Sequence, residues 1–505
     1  MIHGTDLQRF RQHRAAQETT AGRRGSLGPT SRSYRRPLRS TIVGAIGCLL
    51  VLSACGTDSG SGAQQGDWPS FTLNHQDSRY LAESTITSSN VAKLHQSWVI
   101  RTKSSITSTP VVLDGNVYFD DWGGWVYSVR VGSGSINWKV RLKDPVSSTP
   151  VLANGNVYVG LSPYDGASFP PDNGNQVVAL SQSDGHVLWQ TELPSTAKGV
   201  WSSPIVDDGF LFIGLAAGIG QQESIPPFVG GSIWALDATT GRIAWKRVLN
   251  GTAGGGGLWG SVAVSTSLDS IFFGTANSYV PTGTINDAYS IVSLNLRTGH
   301  ENWRFRAYPS EAVGNDQDFG ATPNVFSISS HGGVRLAVGV GSKDGNYYVV
   351  DARTGALIQK VSVTPDGGNI GTSAFRGTVN PKVFVPTYTN AIDIASPANC
   401  CGGLVAVNTA TGHVQWYVSV GANVIGDVAA VPNAVLFGDE KGNVYALSSK
   451  DGHRLFHDKL PDAIESGVTP AEGHVFVATT RGDPSLGQND SSMPLNGLGL
   501  YAYVP

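Results

Sequence analysis

The sequence predicts an all-β protein, an eight-bladed β-propeller of four-stranded antiparallel blades. Two observations predict it. The first is a turn glycine followed four residues later by a docking position: Gly134 and Trp138, Gly185 and Trp189, Gly241 and Trp245, Gly299 and Trp303, Gly412 and Trp416, Gly452 and Phe456, and a degenerate copy at Gly355 and Gln359. Trp98 supplies one more, which makes eight docking positions. The second is that each copy follows a short apolar strand, as in "SIWALDATTGRIAW" and "GLVAVNTATGHVQW". A period of roughly 40 to 58 residues with short alternating strands suits one blade per repeat.

Taken in chain order, residues 1–54 read as a lipoprotein signal peptide. Arg32, Arg35, Arg36 and Arg39 precede the apolar run "TIVGAIGCLLVL", which is too short for a membrane span and suits a signal core. The run ends in Leu52-Ser53-Ala54-Cys55, which resembles the bacterial lipobox, so Cys55 is the expected lipidated first residue of the mature chain. Residues 55–67, with "GTDSGSGAQQG", form the expected flexible tether, and 68–505 the propeller. The protein is therefore expected to be exported and held by lipid at the bacterial envelope, on the outer face of a membrane or in the periplasm. Without residues 1–54 the formal charge of −3 becomes −10, from 26 Lys and Arg against 36 Asp and Glu. That balance argues against nucleic acid as a partner, since phosphate binding needs clustered cations. With Cys48 in the signal and Cys55 lipidated, the adjacent Cys400 and Cys401 remain, free to oxidise in an exported protein.

Each blade opens near a Ser/Thr-x-Pro-like entry: "STPVV" at Ser108, "STPVL" at Ser148, "SSPIV" at Ser202 and "ATPNV" at Ala321. The innermost strand A starts there, and the docking strand D is outermost. The last blade takes "GVTPAEGHVFVATT" and "GLGLYAYVP" from the C-terminus and its outer strand from the N-terminal "LHQSWVI", which leaves no free sheet edge. Alternating strand direction puts A–B and C–D turns on one face, and B–C loops and D–A connections on the other. The long insertions, 162–175, 216–230, 278–286, 308–319 and 389–403, fall in the second class, whereas the opposite face has short turns such as "TTGR" and "ATGH". A binding site is expected on the elaborated face.

Asp77-Ser78-Arg79-Tyr80 with the downstream "TITSSNVAKLHQSW", and the segment "GGGGLWGSVAVSTSLDSIFFGTANSY", resemble the pyrroloquinoline quinone (PQQ) propeller family. The likeness is to the quinoprotein alcohol dehydrogenases, including methanol and polyvinyl alcohol dehydrogenases, over about residues 68–505. The resemblance implies that Trp259 is the platform on which the quinone stacks and that Asn277 is a Ca²⁺ ligand. Glu223 is the one acid available as its companion in the B–C loop of the preceding blade. It implies that Lys343 in "GSKDGN" hydrogen-bonds the reactive carbonyls, and that Asp316 or Asp318 is the base. Asp318 is favoured because "DFGATP" resembles the polyvinyl alcohol dehydrogenase branch. The base would take the alcohol proton as hydride moves to the quinone.

The family's vicinal disulfide lies in an early blade, whereas Cys400-Cys401 lies in the sixth, still in a B–C loop. Either it caps the cofactor from another side or it is a local clasp. No C-x-x-C-H segment occurs, so electrons from a small or polymeric alcohol would pass to a separate acceptor. The alternative expectation is a non-catalytic lipoprotein propeller that grips membrane-protein partners, similar to those of outer-membrane assembly machines. Convergence of Trp259, Asn277, Lys343 and Asp316 or Asp318 on one face discriminates the two.

Overall fold

The computed structural model describes residues 66–163, 174–194, 199–216, 230–249, 255–277, 287–308, 317–330, 332–364, 367–368, 371–389, 402–481 and 497–505. Its strands form eight separate antiparallel sheets. Blade 1 comprises Val111–Leu113, Asn116–Asp120, Trp125–Arg130 and Ile136–Arg141. Blade 2 comprises Val151–Ala153, Asn156–Leu161, Gln176–Ser181 and Val187–Glu192, blade 3 Ile205–Asp207, Phe210–Leu215, Ser232–Asp237 and Ile243–Val248, and blade 7 Ala429–Val431, Ala434–Gly438, Asn443–Ser448 and Arg454–Lys459. Blade 4 has Ala263–Ser265, Ser270–Gly274, Ser290–Asn295 and Glu301–Arg306, and blade 5 has Asn324–Ser330, Gly333–Gly341, Asn346–Asp351 and Leu357–Ser362. Blade 6 departs from the four-strand expectation. Its innermost position is split between Gly367–Gly368 and Ala374–Arg376, which pair with the two ends of one long strand, Lys382–Thr389.

Middle strands such as Ser232–Asp237 are buried almost throughout, because both of their faces meet neighbouring blades. The apolar clusters accordingly straddle blades: Phe212, Ile233 and Ala235 of blade 3 pack with Val264, Ile271, Phe273 and Val292 of blade 4. Outer strands alternate, and the docking residue is their inward-facing side chain.

The docking contact runs forward to the next blade. Trp138, Trp189, Trp245 and Trp303 each lie against the C–D turn glycine of the following blade. A methyl group at Gly185, Gly241, Gly299 or Gly355 would come within 2.5–2.6 Å of that indole. Each indole N–H also donates to a carbonyl of the same turn, at Gln182, Ala238, Leu296 and Ala352. Gln359 substitutes for the indole through Nε2 to Thr409 O, 2.7 Å. Phe456 meets no such turn, because the eighth blade is joined from the two termini. It packs instead against Tyr503 and beside Val91, Leu94 and Tyr501.

Closure follows the expected route. His95–Arg101 pairs antiparallel with Gly499–Val504 as the outer strand of the eighth sheet, and Trp98 donates to Val131 O of blade 1 at 2.9 Å. Two further rings reinforce it. The entry residues form a hydrogen-bonded circle in which the N–H of one blade donates to the next blade's side-chain oxygen: Thr109 to Thr149, Thr149 to Ser203, Ser203 to Ser261, Ser261 to Thr322, Thr322 to Thr372 and Thr372 to Asp427, at 2.7–3.3 Å. Blade 8 contributes Gly467, whose N–H donates to Thr109 Oγ1, and that hydroxyl in turn donates to Asp427 across the gap. The second ring is the N-terminal segment from Gly66 to Tyr80. Its carbonyls at Gly66, Trp68, Pro69, His75, Gln76, Ser78 and Arg79 accept N–H groups from the inner edges of blades 8, 1, 2, 4, 5, 6 and 7. His75 meets Asp207 of blade 3 at 3.4 Å. The belt thus pairs inner strand edges that would otherwise be left open.

No described helix is long and apolar enough to cross a membrane. Trp98→Ala removes both the indole packing and its hydrogen bond at the non-covalent seam. A loss of about 3–5 kcal/mol is expected in urea unfolding, as for large core truncations.

Candidate active site

Blade order brings four segments of the elaborated face together. Trp259 lies in the connection between the outer strand of blade 3 and the inner strand of blade 4, and Asn277 follows the second strand of blade 4. Asp318 lies in the connection from blade 4 to blade 5, and Lys343 in the turn after the second strand of blade 5. Each is fixed by its chain neighbours. Leu258 fills the space above Gly214, where a methyl group would come within 2.3 Å of it, and Ser261 belongs to the entry circle. Trp259 is therefore pinned on both sides. Phe319 packs on Gly274 and its N–H donates to Thr275 O, 3.2 Å, which seats Asp318. Asn277 is anchored by Gly256 N–H to its carbonyl at 2.8 Å.

The functional groups converge. Lys343 Nζ stands 4.9 Å from the centre of the Trp259 ring and 3.3 Å from Asp318 Oδ2. The Asn277 backbone N–H donates to Asp318 Oδ1 at 2.6 Å, and Lys343 N–H donates to the Asp318 carbonyl at 2.9 Å. The Lys343 and Asp318 side chains are 14% and 6% exposed, so this ion pair is held largely out of water. Trp259 itself is half-buried. The result is an indole platform, a cation at its face, and a carboxylate whose two oxygens are each held by a different donor. A flat, anionic conjugated ring fits such a corner: the platform stacks it and the ammonium attracts it.

For a metal, Asn277 offers an amide oxygen of the hard type Ca²⁺ takes, but its expected companion Glu223 lies outside the described residues. Among the described residues no group of three His, Cys, Asp or Glu could hold a metal. Asp316, Cys400, Cys401 and Cys55 also lie outside the described residues.

Two residues were not singled out from the sequence. Gly320 lies against the Trp259 ring, where a methyl group would come within 2.3 Å of Cη2. The small space needed beside the Trp259 indole is a signal that "DFGATP" carried. Trp201 precedes the circle residue Ser203 by two positions, as Trp259 precedes Ser261. Aligning the entries on the circle hydroxyls would have found it.

A family model described as outer membrane protein assembly factor BamB matches residues 122–316 and 401–492, together more than half of the chain. A second model, described as glucose/ethanol/alcohol dehydrogenase, beta-propeller domain, matches residues 68–166. The polyvinylalcohol dehydrogenase of Sphingopyxis sp. is 25% identical over 395 residues, covering 69% of this chain and 58% of that protein. The chain thus spans little more than half the length of that curated relative. The fold matches the quinohemoprotein alcohol dehydrogenase ADHIIG of Pseudomonas putida HK5 with TM-score 0.71 at 18% identity, covering 87% of this chain and 80% of that one. BamB from Moraxella catarrhalis matches with TM-score 0.54 at 16% identity, covering 82% and 98%.

Gly320→Ala should push the Trp259 ring out of its seat. Overpacking of this kind costs about 1–3 kcal/mol, so a lowered melting temperature together with an altered near-UV circular dichroism spectrum is expected.

Proposed function

The chain belongs to the PQQ-type β-propeller family, and on that premise we propose that it oxidises an alcohol, with a bound PQQ as the electron acceptor. The observation that carries this reading is the convergence of Trp259, Asp318 and Lys343, with the Asn277 backbone, on one corner of the elaborated face. Trp259 would seat the cofactor ring and Lys343 would hold its carbonyl oxygens. Asn277, with Glu223, would supply oxygen ligands to a Ca²⁺ ion. A bound quinone supplies the acceptor for the two electrons of the alcohol C–H bond.

The work of the chain's own groups is proton handling and orientation. The Asp318 carboxylate takes the alcohol O–H proton, and the Asn277 N–H and Lys343 ammonium keep its oxygens aimed at one point. The fixed Lys343 charge favours electron density arriving beside it without reorganisation of solvent. The substrate is a small or polymeric alcohol. A relative named for polyvinyl alcohol supports the polymeric choice. Electrons leave to a separate acceptor, since the sequence has no C-x-x-C-H segment. Export and anchoring through a lipid on Cys55 complete the proposal, with Cys400 and Cys401 joined as a disulfide.

The second reading is a protein-binding scaffold, favoured by the longer match to the assembly-factor model. It gives the four converging groups no task. Dye-linked alcohol oxidation separates the two. With PQQ and Ca²⁺ added, Asp318→Asn is expected to lower kcat by about 10²-fold or more while quinone binding stays nearly intact. Lys343→Ala should weaken both binding and turnover. Absence of any alcohol-dependent dye reduction in the wild-type protein supports the scaffold.

A further inference from the structure

Lys343 lies in the turn that joins the second and third strands of blade 5, with the sequence "SKDGN". The acid that follows it, Asp344, has no part in the site as described above. Its side chain is only 4% exposed. Its Oδ2 accepts hydrogen bonds from Tyr348 at 2.7 Å, from Asn346 Nδ2 at 2.6 Å and from the Tyr308 hydroxyl, and its Oδ1 accepts from Asn346 N–H at 3.1 Å. Burial first, and then this carboxylate, hold the Tyr308 and Tyr348 phenols well above the usual tyrosine range. Both therefore remain O–H donors at working pH.

Tyr308 matters because of where it stands. It lies just beyond Glu301–Arg306, at the start of the connection that ends in Asp318 and the inner strand of blade 5. The far end of that connection is already tied to the Lys343 turn, by Lys343 N–H to Asp318 O at 2.9 Å and Ser342 Oγ to Gln317 O at 3.3 Å. Asp344 ties the near end. The turn has no room to retreat, since a methyl group at Gly368 would come within 2.5 Å of Lys343 Cα.

The geometry points to Asp344 as a positioning residue: with Tyr308 and Tyr348 it clamps the turn bearing Lys343 to the end of the outer strand of blade 4, and so fixes the ammonium over Trp259. The inference rests on the proposed function only in taking Lys343 and Asp318 as the working pair. A carboxylate suits the clamp because it can accept from all these donors at once, whereas an amide has one oxygen and turns a donor toward the phenols.

The test uses the full chain and two readouts. Trp259 emission is isolated as the difference from Trp259→Phe in protein without cofactor, and the effect of the ammonium is taken from Lys343→Ala. Asp344→Asn is expected to reproduce most of that spectral change, and to weaken PQQ binding about tenfold, as loss of a charge-assisted hydrogen bond does. In the Lys343→Ala background it should add nothing to either readout, because it acts through Lys343. Tyr308→Phe, which removes one hydroxyl and keeps the ring, should show the same effects at smaller size, and stands in where Asp344→Asn fails to fold. Effects that add fully to those of Lys343→Ala, or an unchanged Trp259 spectrum in both variants, overturn the clamp. If Lys343→Ala leaves quinone binding unchanged, the proposed function fails, and the spectra still decide the clamp.

Discussion

An indole lying against a glycine of the next blade is the contact on which the other features of this molecule rest. A four-stranded blade is too thin to bury both of its faces, so it is stable only between two neighbours. The docking tryptophan sets the spacing and rotation of each neighbour by filling the place of an absent side chain and by donating to a carbonyl one turn away. Any side chain at Gly299 or Gly355 would enter the indole itself, and both glycines also sit at positive φ, +69° and +70°. The turn therefore has two reasons to be glycine. The recurrence of glycine and tryptophan at a fixed interval is the linear trace of a contact that actually joins different blades.

With spacing fixed, the loops of the elaborated face acquire a common register. In blade 5 the residue two before the circle hydroxyl, Gly320, lies against the corresponding residue of blade 4, Trp259. Most blades place something small or apolar there, such as Thr107, Gly320 or Ile425. Two adjacent blades place Trp201 and Trp259. The site arises where this register meets a lysine from the blade 5 turn and an aspartate from the connection between blades 4 and 5. It needs no special fold of its own, only departures from the repeat at the loops of neighbouring blades, held by the packed blades beneath them.

Much of this was legible in the sequence for a physical reason. Blade number, the closing strand and the elaborated face all follow from periodicity and strand alternation, which are properties of short segments. The N-terminal belt was not legible. Its contacts to inner strand edges are made by backbone carbonyls, and only its Arg79-centred motif stood out as a resemblance. The split inner strand of blade 6 was likewise hidden, because Gly367–Gly368 has no side chains to show a pattern. In the site, residue types could nominate Trp259, Asn277, Asp318 and Lys343, while the roles of Gly320 and Asp344 depend on which loops meet across blades. The docking position of blade 5 illustrates the opposite case. Gln359 breaks the aromatic pattern yet keeps a hydrogen bond to the next blade, from Nε2 to Thr409 O.

On the reading proposed above, the corner formed by Trp259, Lys343 and Asp318 binds a quinone and reduces it at the expense of an alcohol. The most direct measurement is the absorbance spectrum of purified protein loaded with PQQ and Ca²⁺, recorded before and after anaerobic addition of a primary alcohol. A bound oxidised quinone whose absorbance bleaches on addition of alcohol is expected, with one carbonyl product formed per quinone reduced. A protein that retains no quinone after desalting, or one whose bound quinone is unchanged by every alcohol offered, contradicts that reading.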